Sequence, residues 1–227
     1  MCHNYFPPPD KPFVLNLASL NDEIREKSID HIIKAIKFSE KIGSTKYGFH
    51  AGYFFNPPVN QLGKNMEAKH LENIDKSVGA FINGFHKVKN TSGTVELFIE
   101  NNVLSEANYK EFGCIPFMLC TSNDYYKLKE QVNFNLLLDI AHLKVTSKTL
   151  GLNFESELFS LIQHADYVHI SDNDGISDSN KPIERDSEML QILKGIDFSK
   201  KIVTIEVYDE INNIINSYEN LLNNILC

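Results

Sequence analysis

Four short apolar runs in this chain end on a residue able to bind a cation or move a proton. Residues 95–100 (VELFIE) close on Glu100, and residues 135–142 (NLLLDIAH) carry Asp139 after three leucines, with His142 three positions later. Residues 167–169 (YVH) close on His169, and residues 202–206 (IVTIE) on Glu206. A carboxylate emerging from an apolar strand must be ion-paired, hydrogen-bonded or metal-bound, because an isolated buried charge is very costly. Taken singly, a strand-end acid or histidine ordinarily serves as a helix cap or half of an ion pair. Four in succession, all at the same end of consecutive strands, form the signal. Three carboxylates and one imidazole suit Mn2+, Mg2+, Co2+ or Zn2+, with Mn2+ the best compromise of hardness and nitrogen affinity.

The elements that must position these groups alternate between strand and helix. Residues 1–5 read as a short strand stopped by Pro7, Pro8 and Pro9, whose fixed φ and missing N–H groups end a ladder. Apolar positions at helical spacing, Ile29, Ile32, Ile33, Ile36 and Phe38, predict a helix over 21–42, with Asn21 or Ser19 as cap and Gly43 beyond the end. Residues 46–50 (KYGFH) read as a strand ending on His50, followed by a long loop through Pro57, Pro58 and Gly63 that faces a substrate. Further helices are predicted over 67–89, with Ile74, Val78, Phe81, Ile82, Phe85 and Val88 inward, and over 122–131, 154–164 and 188–193. An amphipathic closing helix runs from Ile211 to Ile225, and residues 103–113 read as a polar loop.

Such alternation calls for a parallel sheet with helices outside, in one domain spanning 1–227. A (β/α) barrel is favoured over an open doubly wound sheet on three grounds. Candidate functional residues end at least five strands, as when βα loops converge on one barrel face. No glycine-rich phosphate fingerprint follows any strand, and an open sheet concentrates its site at a single switch point.

Composition narrows the function classes. The chain has 227 residues, 42% hydrophobic and 23% charged, with a formal net charge of −8 and 22 basic residues, of which two, Arg25 and Arg185, are arginine. That balance disfavours a nucleic-acid surface. Cys2, Cys114, Cys120 and Cys227 show no zinc-type spacing, and four scattered thiols point to a reducing compartment, with the cytoplasm as the expected location. No signal peptide is visible, and nothing approaches the roughly 20 apolar residues of a membrane helix.

The ordered set of motifs resembles the xylose-isomerase-like superfamily, the (β/α)8 barrels that include sugar isomerases, sugar and sugar-phosphate epimerases and metal-dependent AP endonucleases. The matching pieces are His3 in HNYFPPP, His50 in FHAG, Glu100 in IENN, Asp139 and His142 in DIAH, His169 in HISDNDG and Glu206 in TIEV. The resemblance implies a divalent metal held by Glu100, Asp139, His169 and Glu206. In the isomerase/epimerase branch that metal would polarise an α-hydroxy carbonyl sugar or sugar phosphate, with Glu100 and Glu206 as the catalytic base and acid for enediolate-type proton transfer. His3 and His50 would line the pocket, and His142 would support a ligand or touch a substrate hydroxyl. Asp172 and Asp174 would bind substrate or hold His169, or else form a solvated turn ended by Gly175. Arg185 and Lys181 would meet a phosphate or carboxylate on the substrate; read by themselves they are surface residues.

Two departures from the family pattern stand out. The endonuclease branch carries an Asp-x-His pair where this chain reads Asp178-Ser179-Asn180. The resemblance also aligns the first strand here with the family's third, so the expected fold is a barrel incomplete at its N-terminus, about six of eight strand–helix units, in a chain shorter than the roughly 250 residues of such barrels. An open edge exposes unpaired strand groups, so a homo-oligomer through that edge, or loops filling it, is expected. The leading expectation is a sugar or sugar-phosphate isomerase/epimerase. The alternatives are an AP endonuclease-like phosphodiesterase and a truncated, non-catalytic barrel.

Overall fold

The computed structural model describes residues 1–67 and 70–225. Ala68 and Lys69, inside the helix expected over 67–89, and Cys227 lie outside the described residues. The chain divides into two compact units, one of Met1–Asn102 with Ala107–Asn135 and one of Val103–Glu106 with Leu136–Cys227.

In the first unit three parallel strands run in the order β1 (Cys2–His3), β2 (Lys46–His50), β3 (Glu96–Glu100). Their register pairs His3 with Gly48 and His50 with Glu100, so the ends carrying imidazole and carboxylate are level. Tyr47, Phe49 and Ile99 are fully buried, as parallel strands covered on both faces require. Helix α1 (Asp22–Lys41) begins where the Asn21 side chain accepts the Glu23 and Ile24 N–H groups, and Gly43 follows its end at φ +73°. Its Ile29, Ile32, Ala35 and Ile36 are buried.

Helix α2 (Ile74–Lys89) starts seven residues later than the apolar spacing predicts. Glu72 holds the preceding segment in an extended path: its N–H donates to the Phe54 carbonyl, and its carboxylate accepts the Leu20 N–H and the Asn56 amide. Asn73 then caps the helix through the Lys76 N–H. Ile74 is accordingly half exposed, while Phe81, Phe85 and Val88 are buried. Helix α3 (Glu106–Phe112) occupies part of the expected polar loop, with Asn108 accepting from Met66 N–H and donating to the Lys64 carbonyl. Helix α4 (Ser122–Gln131) has the predicted bounds and opens on a reciprocal Thr121–Asp124 capping box.

The second unit repeats the pattern with β4 (Asn135–Asp139), β5 (Ala165–Ile170) and β6 (Ile202–Ile205), parallel and in that order. Asp139 is level with His169, and His169 with Thr204. Leu136, Leu137 and Leu138 are buried. Helix α5 (Ile140–Leu150) is announced by no apolar spacing. Nearly all of its side chains from Ile140 to Ser147 are buried, so it shows no amphipathic stripe. It ends at Gly151, whose left-handed φ of +66° suits glycine. Helices α6 (Phe154–Ile162), α7 (Glu188–Leu193) and α8 (Ile211–Ile225) complete the unit. No described helix is long and apolar enough to cross a membrane.

Candidate functional site

Each unit gathers its own set of donors at the carboxyl ends of its strands. In the first, β1, β2 and β3 deliver His3, His50 and Glu100. His3 Nε2 lies 2.6 Å from Glu100 Oε2, and His50 Nδ1 lies 3.2 Å from the same oxygen. The imidazoles meet edge to face, with ring centroids 5.7 Å apart. The Glu100 side chain is 1% exposed and the two histidines about a quarter exposed, so the group has a wet side and a dry side.

Neighbouring loops hold this arrangement. The buried Asn102 amide donates to the carbonyls of Ala51, Gly52 and Met118, tying the loop after β3 to the loop after β2. Gly52 can carry no side chain, because a Cβ there would lie 2.5 Å from Ala18 Cβ and 2.8 Å from Asn16 Oδ1. Asn16 in turn accepts the Tyr53 N–H and donates to the Tyr53 and Phe55 carbonyls. The long loop expected to face a substrate is therefore pinned at its root. Burial holds the Cys120 thiol well above the ordinary thiol range, leaving it unsuited to nucleophilic or ligand chemistry.

In the second unit β4, β5 and the residue after β6 present Asp139, His169 and Glu206. His169 Nδ1 is 2.8 Å from Glu206 Oε2 and 3.9 Å from Asp139 Oδ2. One donor atom from each of the three lies within 4.8 Å of the others. Asp139 has two roles: its Oδ1 accepts the His142 N–H at 2.7 Å and so caps α5, while Oδ2 faces the imidazoles. The Tyr208 hydroxyl donates to Glu206 Oε1 at 2.9 Å. Two carboxylates and an imidazole, closely spaced at strand ends, are a donor set that fits a borderline or hard divalent cation.

The cap also orients His142, whose Nε2 reaches Asp178 Oδ2 at 3.2 Å. Asp178 as the partner of His142 is a pairing that sequence reasoning misses; its one signal is the Asp178-Ser179-Asn180 segment itself. Asn180 belongs to the framework: at φ +44° it accepts the Ser171 hydroxyl through Oδ1 and the Tyr208 N–H through its carbonyl.

The other proposed substrate contacts have different surroundings. Asp172 Oδ1 accepts the Lys144 ammonium at 2.7 Å, and the Asp172 and Lys181 backbones exchange two hydrogen bonds. Asp174 Oδ1 accepts the N–H groups of Ile176 and Ser177, which hold its carboxyl below the usual range, and Gly175 follows at φ +74°. Arg185 is exposed in the turn before α7.

Comparison with known proteins yields a consistent set. The family model described as "Xylose isomerase-like TIM barrel" matches residues 1–220. A protein of Petrotoga mobilis named "Probable endonuclease 4" is 29% identical over 161 residues, 62% of this chain, and the match spans 49% of that protein's length. Among solved structures, a D-tagatose 3-epimerase-like protein superposes with a TM-score of 0.69 at 18% identity, covering 97% of this chain and 74% of that one. Endonuclease IV from Thermus thermophilus superposes at 0.59 with 15% identity, covering 90% of this chain and 70% of that one.

Proposed function

Since the chain belongs to the xylose isomerase-like TIM-barrel family, we propose that it is a metal-dependent phosphodiesterase that cuts nucleic acid at abasic sites. The observation behind this reading is a surplus of imidazole–carboxylate groupings. One ion needs only the strand-end set expected from the sequence, yet His3 and His50 both converge on Glu100, and His142 is seated on Asp178. Neutral imidazole beside carboxylate is the donor chemistry of zinc-type sites. The partial match to the Petrotoga protein supports the same reading.

In this proposal His3 and His50 with Glu100 hold one divalent ion, and Asp139, His169 and Glu206 hold a second. Bound there, the ions would supply Lewis acidity and a hydroxide-like nucleophile at neutral pH, and would offset charge on a phosphodiester. The protein's own part is orientation. Asp139 fixes α5 and hence His142, Asp178 sets the His142 ring, and the Tyr208 hydroxyl holds Glu206 Oε1. The net charge of −8 assigns substrate attraction to the ions instead of a basic surface.

A second reading, a sugar or sugar-phosphate isomerase/epimerase, is favoured by Asn180. It stands where the endonuclease branch carries a histidine, and its side chain is engaged with Ser171 instead. A single ion held by Asp139, His169 and Glu206 would then serve, polarising a sugar carbonyl.

The test is to incubate Zn2+- and Mn2+-loaded protein with an end-labelled abasic duplex and, separately, with a panel of ketoses and ketose phosphates. Chelator-sensitive strand nicking without sugar conversion is the expected result. Sugar conversion without nicking would establish the second reading. Metal binding with neither activity would mark the chain as a non-catalytic barrel.

A further inference from the structure

We propose that Asn4 is a positioning residue that sets the distance between His3 and His50 and thereby seats both imidazoles on Glu100. The inference rests on reading His3, His50 and Glu100 as metal ligands.

Strand β1 is two residues long, and its ladder with β2 ought to end at His3. Asn4 extends it by one unusual rung. Its N–H donates to the Gly48 carbonyl at 2.8 Å, as a third strand residue would. In a parallel ladder the carbonyl of that same residue would next accept the N–H of the residue two further along the partner strand, here His50. Instead the Asn4 backbone turns to φ +44°, and its side-chain Oδ1 accepts the His50 N–H at 3.1 Å. The side-chain amide oxygen replaces the main-chain oxygen. Asparagine is the residue suited to this substitution, because it tolerates the left-handed region and carries a carbonyl on a short stem.

The released Asn4 carbonyl is not left bare. It accepts the Tyr47 hydroxyl and faces His31 Nε2 at 3.3 Å. Burial pushes the Tyr47 phenol up and the His31 imidazole down, so the first remains a proton donor and the second remains neutral. Four contacts thus lock one residue whose immediate neighbour is His3 and whose side chain holds the backbone of His50. A regular rung would carry the chain onward as strand. The observed turn ends β1 directly after His3, with His3 Nε2 2.6 Å and His50 Nδ1 3.2 Å from one carboxylate oxygen.

Three variants of the full chain separate positioning from folding. Asn4→Ala removes the acceptor while keeping a Cβ at positive φ. Asn4→Gly removes the acceptor without that strain, and serves if the alanine variant does not fold. Asn4→Asp keeps an acceptor oxygen. The readouts are Zn2+ stoichiometry and affinity by competition with a chromophoric chelator, and the imidazole 15N resonances of the metal-free protein. We expect Asn4→Gly to lose roughly tenfold or more in affinity for one Zn2+, in line with the loss of a residue that orients a ligand. The metal-free His3 and His50 signals should shift, the remaining zinc should bind as in the wild type, and Asn4→Asp should restore both readouts. Wild-type zinc binding together with unchanged His3 and His50 resonances in Asn4→Gly would overturn the proposal. Should the wild-type chain bind no zinc, the metal reading fails by itself, and the imidazole resonances alone decide whether Asn4 positions the pair.

Discussion

His169 Nδ1 stands 2.8 Å from Glu206 Oε2, two groups brought together by adjacent parallel strands. The contact joins an imidazole that is 5% exposed to a carboxylate that is 22% exposed, so one partner is anchored in the core and the other is open to a ligand. Asp139 Oδ2 completes the triangle at 3.9 Å from the same nitrogen. Replacing Glu206 with glutamine keeps the shape and removes the charge. Residues that merely orient a metal ligand cost 10–100-fold in affinity when removed, so Glu206→Gln is expected to weaken zinc binding roughly 100-fold or more. The thermal midpoint of the metal-free protein should move little, because Glu206 lies outside the buried core. Isothermal titration with Zn2+ beside a melting curve checks both halves of the expectation.

Asn102 carries a structural load without being a ligand. Its single amide nitrogen serves three carbonyls from two loops, at 2.8 to 3.2 Å. Leucine at this position would fill the volume and take this donor from the Ala51 and Met118 carbonyls, while the Gly52 carbonyl keeps the Met118 N–H. Each such loss costs about 1–3 kcal/mol, so Asn102→Leu should destabilise the protein by about 2–3 kcal/mol. In a chain of this size that corresponds to a fall of about 5–10 °C in Tm. An unchanged denaturation midpoint would show that the loops hold each other without it.

Much of this architecture is legible in the sequence, and the exceptions have physical causes. Helix α1 agrees with its apolar spacing because a capping asparagine and a terminating glycine bracket it. Helix α5 is hidden because burial on nearly every side erases periodicity, and because Asp139, which reads as a strand end, also starts a helix. The late start of α2 depends on Glu72, which bonds to Leu20 and Asn56, contacts that no local pattern encodes. In the candidate site the strand-end positions of His50, Glu100 and Asp139, and that of His169 one residue before the end of β5, follow from apolar runs. The Asn4 turn and the His142–Asp178 pair do not, since each joins residues separated by long stretches of chain.

His31 makes stability depend on pH in a defined window. Burial is the main cause of its lowered pKa, with Lys34 adding to it and the Asn4 carbonyl opposing. In the unfolded chain the imidazole takes a proton near its ordinary value of about 6.5. The native state takes that proton only at lower pH, so between the two values the unfolded state binds more protons. Stability contributed by neutral His31 is therefore complete above about pH 6.5 and declines as pH falls toward the native value. His31→Gln, which keeps a donor for the Asn4 carbonyl, should flatten the pH dependence of Tm below about pH 6.5. Parallel slopes for variant and wild type would assign the acid sensitivity to other groups.

Among the described residues, the last strand of the second unit has a strand partner on one side. β6 pairs with β5, and the Glu206 N–H continues that ladder by donating to the Ile170 carbonyl. By alternation, the N–H and C=O groups of Val203 and Ile205 point the other way, off the sheet. Around this edge Ile202 is 45% exposed, Tyr208 72% and Ile211 66%, with Ile215 and Tyr218 about half exposed on α8. An open strand beside an apolar stripe invites pairing. Two β6 strands meeting antiparallel across a twofold axis would pair these outward groups with one another. We therefore expect concentration-dependent dimerisation of the 227-residue chain. Val203→Pro removes one outward N–H per copy and leaves the β5 ladder intact. At about 1 kcal/mol for each lost bond, two bonds across the axis raise Kd roughly 30-fold. Light scattering across a hundredfold range of concentration decides the matter: a single monomeric mass throughout would show that this edge is not used for self-association.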